Sequence, residues 1–291
     1  MEMYLGIDGG GTHTRARLVS ADGIVLGIGE AGPANTPSGL AQGLLAIEEA
    51  YSQAVAEAGL TEAEISAIHA GMGIAGLNRR GVLEGLQAHD FPFATTAFAS
   101  DAAIANLGAH EGADGAIVVV GTGSIGFARV GEDIFTIGGY GFPVSDEGSG
   151  AEVGLRAIRR ALWARDGRIP HSPMTQEVLD RFHGSAGEIV DWTMRATPAD
   201  YAEFAPMVLD HAIHGEPNAE LIVQESARRI EAIVRTMLDR GAPHCCLMGG
   251  MASSMHDWLS PSIREQLRDP LGDPLDGAIL LARTRAGKKD D

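Results

Sequence analysis

The sequence predicts an α/β protein in which one structural pattern occurs twice. An apolar strand at residues 4–7 leads into the glycine-rich segment DGGGT at residues 8–12. A second apolar strand at residues 117–120 leads into GTGS at residues 121–124. A hairpin strand follows each glycine-rich segment, and helical stretches follow the hairpins. This repeat of strand, glycine segment and hairpin predicts a duplicated α/β unit.

The predicted elements follow this pattern in chain order. The turn signal Asp22-Gly23 joins two strands of the first half, and the first helix ends at Gly59. From residue 152 the chain is mostly helical, and the Pro/Gly-rich turn at residues 269–274 would let the last helix cross back to the first half. The predicted strands are residues 4–8, 15–20, 24–29, 65–73, 97–100, 117–120, 127–130 and 244–248, and the clearest predicted helices are residues 41–57, 219–238 and 276–285.

These elements predict two domains in a chain of 291 residues, a length that allows one large domain or two of ordinary size. We expect an N-terminal domain at residues 1–112 and a second domain at residues 113–275. The helix at residues 276–291 is expected to return to the first domain.

Composition limits the classes of function. Hydrophobic residues make up 45% of the chain and charged residues 21%, so cores are available and wholesale disorder is excluded. The net charge of −17, with no basic cluster except Lys288-Lys289, argues against a nucleic-acid partner. No apolar run approaches membrane-spanning length, so we expect a soluble, cytoplasmic protein with no membrane partner. The sequence leaves the oligomeric state open, a homodimer included.

The cysteines and histidines predict no disulfide and no zinc site. Cys245 and Cys246 are adjacent, cannot readily pair with each other, and lie in an apolar run that favours buried thiols. The ten histidines show no metal-binding spacing. The string GMGIAG at residues 71–76 matches the dinucleotide-binding pattern but opens no convincing helix, and no P-loop motif is present.

The two glycine segments together predict a phosphate site. Glycine lacks Cβ, so a turn can aim successive backbone N–H groups at one anion, and the hydroxyls of Thr12 and Ser124 add donors. Asp8, at the end of the first strand, could hold Mg²⁺ directly or through water. Either segment alone is equally well explained as a hairpin turn, but the pair with Asp8 favours a nucleotide. The predicted phosphate ligands are Gly9, Gly10, Gly11, Thr12, Gly121, Thr122, Gly123 and Ser124.

Asp101 follows a predicted strand and precedes the helical residues 102–107. Two interpretations stay open at this point. Asp101 could be a helix N-cap, which is a common position for aspartate. It could also be a general base that accepts a proton from a sugar hydroxyl, because ligands of α/β proteins bind at the carboxyl ends of strands.

Two further glycine-rich loops could contact ligands. In GGYGFPVSDEGSG, at residues 138–150, Asp146 and Glu147 could bond sugar hydroxyls, or one of them could cap the following helix, although Ser149 is nearer its start. The loop MGGMASS follows the last strand and is either an ordinary turn or a surface on which a flat ring lies. The predicted adenosine contacts are Gly249, Gly250 and Met251.

In this order the motifs resemble those of the actin–hexokinase–heat-shock-ATPase superfamily, specifically its BadF/BadG/BcrA/BcrD ATPase family, which includes N-acetylglucosamine kinases. The matching motifs are residues 8–12, 121–124, 249–250 and 276–278. The resemblance runs nearly end to end. It implies two actin-like (ribonuclease H-like) α/β domains with an interdomain cleft, and Asp101 as the catalytic residue. The substrate contacts it implies are Asn35, Thr36, Asp101, Gly139, Asp146 and Glu147.

Within this family, the segments that resemble bacterial glucosamine kinases are residues 142–150, 164–167 and 257–261. Tyr140 and Ser145 stand where N-acetylglucosamine kinases usually have Trp and Gly, which favours a free amino sugar. The resemblance therefore implies phosphorylation of glucosamine at its 6-hydroxyl, with ATP and Mg²⁺.

Three alternatives remain at this stage. The first is the same chemistry on N-acetylglucosamine. The second is an ATPase activator subunit, but such proteins carry cysteines for an iron–sulfur cluster, which the adjacent Cys245 and Cys246 fit poorly. The third is a sugar sensor without catalysis, which would need a DNA-binding segment, whereas this sequence begins directly at the first predicted strand.

Overall fold

The computed structural model describes residues 2–34 and 39–287. These residues fall into two compact units. The first unit is drawn from the ranges Met1–Asp114 and Asp269–Asp291, and the second unit is Gly115–Arg268. The strands are β1 (Met3–Gly9), β2 (Thr14–Ser20), β3 (Val25–Ala31), β4 (Ile68–Ile74), β5 (Thr95–Ser100), β6 (Gly115–Val120), β7 (Ser124–Val130), β8 (Asp133–Gly138) and β9 (Cys245–Met248). The helices are α1 (Leu40–Ala58), α2 (Glu62–Ile65), α3 (Val82–Ala88), α4 (Asp101–Ala109), α5 (Gly150–Arg165), α6 (Pro173–Asp180), α7 (Ala186–Thr193), α8 (Pro198–Ala202), α9 (Ala205–Ile213), α10 (Pro217–Asp239), α11 (Ala252–His256), α12 (Pro261–Arg264) and α13 (Pro274–Gly287).

The first unit contains a five-stranded sheet in the order β3-β2-β1-β4-β5. β2 is antiparallel to β1 and β3, whereas β4 runs parallel to both β1 and β5. Successive residues of a strand face opposite sides of the sheet. Leu5 and Ile7 of β1 accordingly lie in the core that includes α1, and Tyr4 lies in a second cluster with Ile279 and Ala282 of α13. Helices on both faces explain why β1 is buried along almost its whole length.

Helix α1 packs closely on β3 and closes the edge of the sheet. Gly27 permits the approach, because a Cβ there would overlap the backbone carbonyl of α1. The edge N–H groups of β3 find acceptors on α1. Gln53 Oε1 accepts the N–H of Glu30 at 3.0 Å, and Glu57 Oε2 accepts the N–H of Ile28 at 2.8 Å. These side chains protect an edge that another strand could otherwise join.

Residues 269–275 group with the first unit, which differs from the boundary after residue 275 that the sequence suggests. The N–H of Leu271 donates to the carbonyl of Ala109 at 3.0 Å. Asp273 Oδ2 lies 2.6 Å from Nη2 of Arg17 in β2. These contacts fix the segment to the first unit before α13 begins. At the other boundary, the chain passes from the first unit to the second between residues 114 and 115, which is two residues later than predicted.

The second unit contains a four-stranded sheet in the order β8-β7-β6-β9. β7 is antiparallel to β6 and β8, and β9 is parallel to β6. This order matches β3-β2-β1-β4 of the first unit, so the predicted duplication is confirmed at the level of the sheet. Val118 and Val120 of β6 lie in one core with Ala157 of α5 and Ile230 of α10.

Several predicted element boundaries differ from the structure by two or three residues, and two of them have a local cause or change what the element contains. Thr61 caps the short helix α2, which ends at Ile65, so the strand predicted from residue 65 begins at Ile68. The last helix begins at Pro274 rather than at residue 276. None of the helices within residues 2–34 and 39–287 combines the length and apolar character that a membrane-spanning segment needs.

Candidate active site

The first glycine segment forms the turn between β1 and β2. The N–H of Gly10 donates to the carbonyl of His13 at 2.9 Å and closes this turn. Gly11 and Thr12 are exposed, and their N–H groups have no acceptor among the residues that the structure describes. A Cβ at Gly11 would meet no atom within 4 Å. The turn therefore presents backbone donors to open space, as an anion-binding turn must.

Two backbone hydrogen bonds fix this turn to its surroundings. The carbonyl of Gly9 accepts the N–H of Ala75 at 2.8 Å, and the carbonyl of Gly10 accepts the N–H of Ala34 at 3.1 Å. Ala75 directly follows β4, so the turn is held at the carboxyl end of a parallel strand, where ligands of α/β proteins bind.

Asp8, the predicted magnesium ligand, is paired with Arg15 across β1 and β2. Arg15 Nη2 donates to Asp8 Oδ2 at 2.6 Å, and this hydrogen bond raises the pKa of Arg15. Asp8 Oδ1 has no hydrogen-bond partner within residues 2–34 and 39–287. No cluster of three or more potential metal ligands occurs in that part of the chain. Mg²⁺ bound largely by ATP oxygens and water needs only one or two carboxylates, so Asp8 fits this role.

Asp101 is the first residue of α4, and Ser100 is the N-cap of that helix. Ser100 Oγ accepts the N–H of Ala103 at 3.1 Å. Asp101 Oδ1 accepts the N–H of Ala102 at 2.9 Å. The interpretation of Asp101 as the helix cap is therefore wrong, and its carboxylate is available for another role.

The surroundings of Asp101 suit a proton acceptor. Burial raises the pKa of Asp101, and the negative charge of Asp8 raises it further. Gly9 pairs with Ile74, and Ile74 pairs with Ser100, in the two parallel ladders. The carboxyl ends of β1, β4 and β5 consequently lie side by side, with both carboxylates at the same edge of the sheet.

The second glycine segment forms the turn between β6 and β7. The N–H of Gly121 donates to the carbonyl of Gly123 at 2.9 Å. The N–H groups of Thr122 and Gly123 have no acceptor in the described part of the chain, which repeats the arrangement in the first unit. The buried hydroxyl of Ser124 donates to the carbonyl of Glu147 at 2.7 Å. This hydroxyl is thus engaged within the protein, and the open donors of the turn are backbone groups.

Asp146 and Glu147 are neighbours in sequence but face different surroundings. The carboxylate of Asp146 accepts backbone N–H groups, that of Ser124 among them, and burial raises its pKa. A Cβ at Gly123 would lie 2.9 Å from Asp146 Oδ2. Glu147 Oε2 accepts the hydroxyl of Ser145 at 3.0 Å. Neither residue caps α5, because Ser149 is its N-cap.

A cavity of about 480 Å³ in the second unit adjoins the second glycine segment. Gly250 and Met251, two of the predicted adenosine contacts, line this cavity together with Gly121 and Thr122. Gly249 has a structural role, since its φ is 96° and a Cβ there would overlap the backbone of β6. The cavity is large enough for a flat ring and its sugar.

Helix α9 forms a wall of this cavity that the sequence interpretation missed. Its apolar lining residues are Ala205, Pro206, Leu209 and Ile213. Ile213 is 70% exposed although it is apolar. The signal was present in the sequence as residues spaced by four along one helix face, but that spacing equally describes a helix packed on a core. Asp210 adds a carboxylate to the same cavity.

Of three further predicted substrate contacts, the structure describes one. Asn35 and Thr36 lie outside the residues that the structure describes. Gly139 follows β8 with φ 73°, and a Cβ there would lie 2.7 Å from the Ile125 side chain. The structure therefore explains Gly139 through the close packing of its loop on β7.

Two sheets of matching strand order, each with a glycine turn after its first strand, define the class of actin-like ATPases and sugar kinases. The glucokinase of the ROK family from Streptomyces griseus, solved with glucose and AMPPNP, shares this fold. Its TM-score is 0.57 at 19% identity, covering 97% of this chain and 99% of that chain. The predicted α/β fold with two actin-like domains is confirmed.

The chain belongs to the BadF/BadG/BcrA/BcrD ATPase family, whose model matches residues 5–282. It is 37% identical to the glucosamine kinase GspK of Vibrio cholerae, over 97% of this chain and 96% of that protein. A crystal structure from Chromobacterium violaceum, described as a candidate N-acetylglucosamine kinase, has a TM-score of 0.89 at 37% identity. It covers 96% of this chain and 98% of that chain. The resemblance drawn from the motifs is confirmed.

Proposed function

We propose that this chain is a glucosamine kinase, which transfers the γ-phosphoryl group of ATP to the 6-hydroxyl of glucosamine. A kinase acting on an amino sugar is supported by membership of an ATPase family and by two relatives that are 37% identical over nearly the whole chain. The observation that carries the proposal is Asp101, a half-buried carboxylate at the carboxyl end of β5 whose expected capping role is filled by Ser100.

In the proposed reaction Asp101 accepts the proton of the sugar hydroxyl as the oxygen attacks the γ-phosphorus. The bond from the γ-phosphorus to the bridging oxygen of ADP breaks as the new bond to the sugar oxygen forms. Burial favours the neutral carboxylic acid, so the ionised carboxylate is a stronger base than an exposed aspartate. Positioning and charge stabilisation supply the rest of the catalysis in phosphoryl transfer.

We assign phosphate binding to the open backbone N–H groups of Gly11 and Thr12 in the first unit and of Thr122 and Gly123 in the second. In a protein of net charge −17, such oriented amides attract phosphate without a basic side chain. Asp8 would hold Mg²⁺, which would offset the negative charge of the ATP phosphates.

We assign the nucleoside to the cavity lined by Gly250, Met251 and the apolar face of α9. Thr122 lines the same cavity, so one continuous surface of the second unit could receive both the ring and the phosphates. A largely apolar wall with few polar groups is typical of a site for a flat base.

Glucosamine is preferred over N-acetylglucosamine in this proposal for two reasons. Tyr140 and Ser145 replace residues typical of N-acetylglucosamine kinases, and the carboxylates of Asp146 and Glu147 suit an ammonium group. The relative named glucosamine kinase supports this choice, whereas the Chromobacterium violaceum relative favours the acetylated sugar as the second candidate.

A coupled assay that measures ADP release tests the proposal with glucosamine, N-acetylglucosamine, N-acetylmannosamine and glucose, each with ATP and Mg²⁺. We expect the highest kcat/KM for glucosamine. A clear preference for N-acetylglucosamine would make that sugar the substrate. Absence of turnover with every sugar would overturn the proposal that the chain is a kinase.

A further inference from the structure

A cavity of about 420 Å³ in the first unit lies on the face of the sheet where α13 packs. It is bounded by the end of β2, the turn that follows β2, the end of α4 and one face of α13. Its charged lining residues are Glu111, Asp276 and Arg283, and its apolar lining includes Val19, Leu271 and Ile279. The proposed kinase reaction makes no use of this cavity.

The cavity lies toward the end of the sheet opposite the first glycine segment. Val19 of its lining pairs with Tyr4 of β1, whereas Arg15 pairs with Asp8, four residues further along β1. Four residues of a strand span about 13 Å. Neither Asp8 nor Asp101 lines the cavity. A ligand bound here would therefore occupy a place separate from the proposed metal ligand and general base.

The guanidinium of Arg283 is held in place but is only partly hydrogen-bonded. It lies over the ring of Tyr4, 5.0 Å from the ring centroid, and its Nη2 donates to the carbonyl of Ala21 at 3.1 Å. Its Nε is buried without an acceptor, and no carboxylate forms an ion pair with Arg283 among the described residues. A buried donor without an acceptor is costly, so Arg283 has capacity for an anion.

Glu111 brings an unpaired carboxylate to the same cavity. Its side chain has no hydrogen-bond or ion-pair partner within residues 2–34 and 39–287. The other lining carboxylate, Asp276, is already engaged, because its Oδ1 lies 2.8 Å from Nη1 of Arg17 and its Oδ2 accepts the N–H of Asp273 at 2.9 Å. Glu111 is therefore the lining carboxylate with capacity for a cationic group.

The two unpaired charges come from different ends of α13. Glu111 lies three residues after Gly108, and Gly108 packs so closely on the segment before α13 that a Cβ there would overlap the carbonyl of Asp273. Arg283 lies seven residues after Asp276, which is two helical turns, or about 10 Å along the helix. A ligand that pairs with both residues must carry its opposite charges on separate parts of the molecule.

This arrangement favours a ligand that carries both charges over a simple anion. Inorganic phosphate would gain the charge of Arg283, but it would also face Glu111 in a chain of net charge −17. An ammonium group on the same molecule would replace that repulsion with a charge-assisted hydrogen bond. A phosphorylated hexosamine carries both groups on one pyranose ring, and a cavity of this volume can hold it.

We propose that this cavity is a second ligand site, which binds a hexosamine 6-phosphate with its phosphate on Arg283 and its ammonium group on Glu111. The choice of ligand rests on the proposed function, because glucosamine 6-phosphate is the product of that reaction. The helix that carries Arg283 packs on β1 at Gly6, so the ligand contacts an element that supports the strand of Asp8.

Two ligands that differ in one group test this assignment. The active site is filled with glucosamine and a non-hydrolysable ATP analogue, and glucosamine 6-phosphate or glucose 6-phosphate is then titrated calorimetrically. We expect glucosamine 6-phosphate to bind once per chain and about tenfold more tightly than glucose 6-phosphate, which has a hydroxyl group in place of the ammonium group. Equal affinity for the two ligands, or no binding of either, would overturn the proposal.

Variants connect each charge with a residue. Arg283→Gln should weaken binding of both ligands about tenfold or more, because the phosphate loses its charged partner. Glu111→Gln should remove the preference for glucosamine 6-phosphate. Arg195→Gln and Glu132→Gln, at exposed positions of the second unit, are the matched controls and should change neither affinity. Unchanged binding in Arg283→Gln, or an unchanged preference in Glu111→Gln, would contradict the assignment.

Leu271→Trp keeps the test decisive if a charge substitution impairs folding. Leu271 lines the cavity and is 69% exposed, so a larger ring there should obstruct the cavity and leave the fold intact. We expect this variant to lose affinity for glucosamine 6-phosphate. A folded Leu271→Trp protein with the affinity of the wild type would exclude this cavity as the site.

The outcomes also separate this inference from the proposed function. A protein that phosphorylates no sugar but binds glucosamine 6-phosphate through Arg283 and Glu111 would overturn the proposal that the chain is a kinase and retain the site. A protein that phosphorylates glucosamine but binds no further glucosamine 6-phosphate when its active site is filled would retain the kinase proposal and overturn the site.

Discussion

At the scale of single residues, the environment of Asp101 separates a functional carboxylate from a structural one. A capping aspartate accepts N–H groups across the first turn of its helix, and here Ser100 does so instead. Asp101 is left half-buried, with only neighbouring N–H groups to stabilise its charge and with Asp8 opposing it. A carboxylate whose ionised form is destabilised in this way is typical of an active site.

Asp101→Asn should lower kcat at least about a hundredfold, because the amide keeps the shape but cannot accept the proton. The thermal unfolding midpoint at neutral pH should stay the same or rise, since the substitution removes a partly buried charge. Steady-state kinetics and calorimetry on the same preparation measure both effects. Retention of most of the turnover would mean that another group is the base.

The pH dependence of kcat/KM should report Asp101 directly. Its pKa is raised, so the carboxylate becomes protonated, and inactive as a base, at a higher pH than an ordinary aspartate. We expect activity to fall on acidification with a midpoint above the usual aspartate range. The Asp8→Asn protein should keep only residual activity. The midpoint of that activity should lie at a lower pH than in the wild type, because the negative charge of Asp8 no longer opposes ionisation of Asp101. An unmoved midpoint would exclude coupling between the two carboxylates.

At the scale of the elements, the two glycine turns differ in what surrounds their glycine residues. Gly123 lies against Asp146, so a substitution there disturbs the protein itself. Gly11 faces open space, so an added side chain there would obstruct only a ligand. This difference makes Gly11 the better position at which to test phosphate binding.

Gly11→Val should raise KM for ATP about tenfold or more while the unfolding midpoint stays nearly unchanged. Gly187→Val is the matched control, because a Cβ at Gly187 meets only Ser185 Oγ, at 3.6 Å. ATP titrations and thermal unfolding of both variants provide the measurement. Normal ATP affinity in a folded Gly11→Val protein would remove the first turn from the phosphate site.

The segment before α13 is held by Arg17, whose Nη1 lies 2.8 Å from Asp276 Oδ1 and whose Nη2 binds Asp273. Burial opposes ionisation of Asp273, but the hydrogen bonds from Arg17 and the N–H of Asp276 lower its pKa overall. A lowered pKa contributes stability that is present at neutral pH and lost as the pH falls through the folded-state value.

Arg17→Ala should therefore destabilise the first unit by about 1 kcal/mol at neutral pH, a value reduced for the partial exposure of the acidic partners. The difference from the wild type should shrink as the pH falls, because protonation of Asp273 removes its ion pair with Arg17. Urea unfolding at pH 7 and at pH 3 measures this. A difference of the same size at both pH values would assign the effect to packing of the Arg17 side chain.

At the scale of the whole molecule, the sequence was sufficient for the features that depend on local pattern. The duplicated strand–glycine–hairpin arrangement, the family and the position of Asp101 at a strand end all follow from residues close together in the chain. The cavity wall that α9 forms could not be predicted, because the sequence of an apolar helix face is the same whether it covers a core or a ligand cavity. The separate surroundings of Asp146 and Glu147 depend on the left-handed backbone at Asp146, which the sequence motif does not encode by itself.

The return of α13 to the first sheet has a consequence for how the protein is made. Gly6 and Gly71 of β1 and β4 let the backbone of α13 pack directly on them, so the centre of this face of the sheet stays uncovered until the last helix has formed. During translation, the first unit therefore cannot be completed until α13 has been synthesised. The second unit, Gly115–Arg268, is continuous in the chain and has its whole core available earlier. A premature stop between residues 268 and 274 would consequently leave the second unit complete and expose the first unit to aggregation and proteolysis.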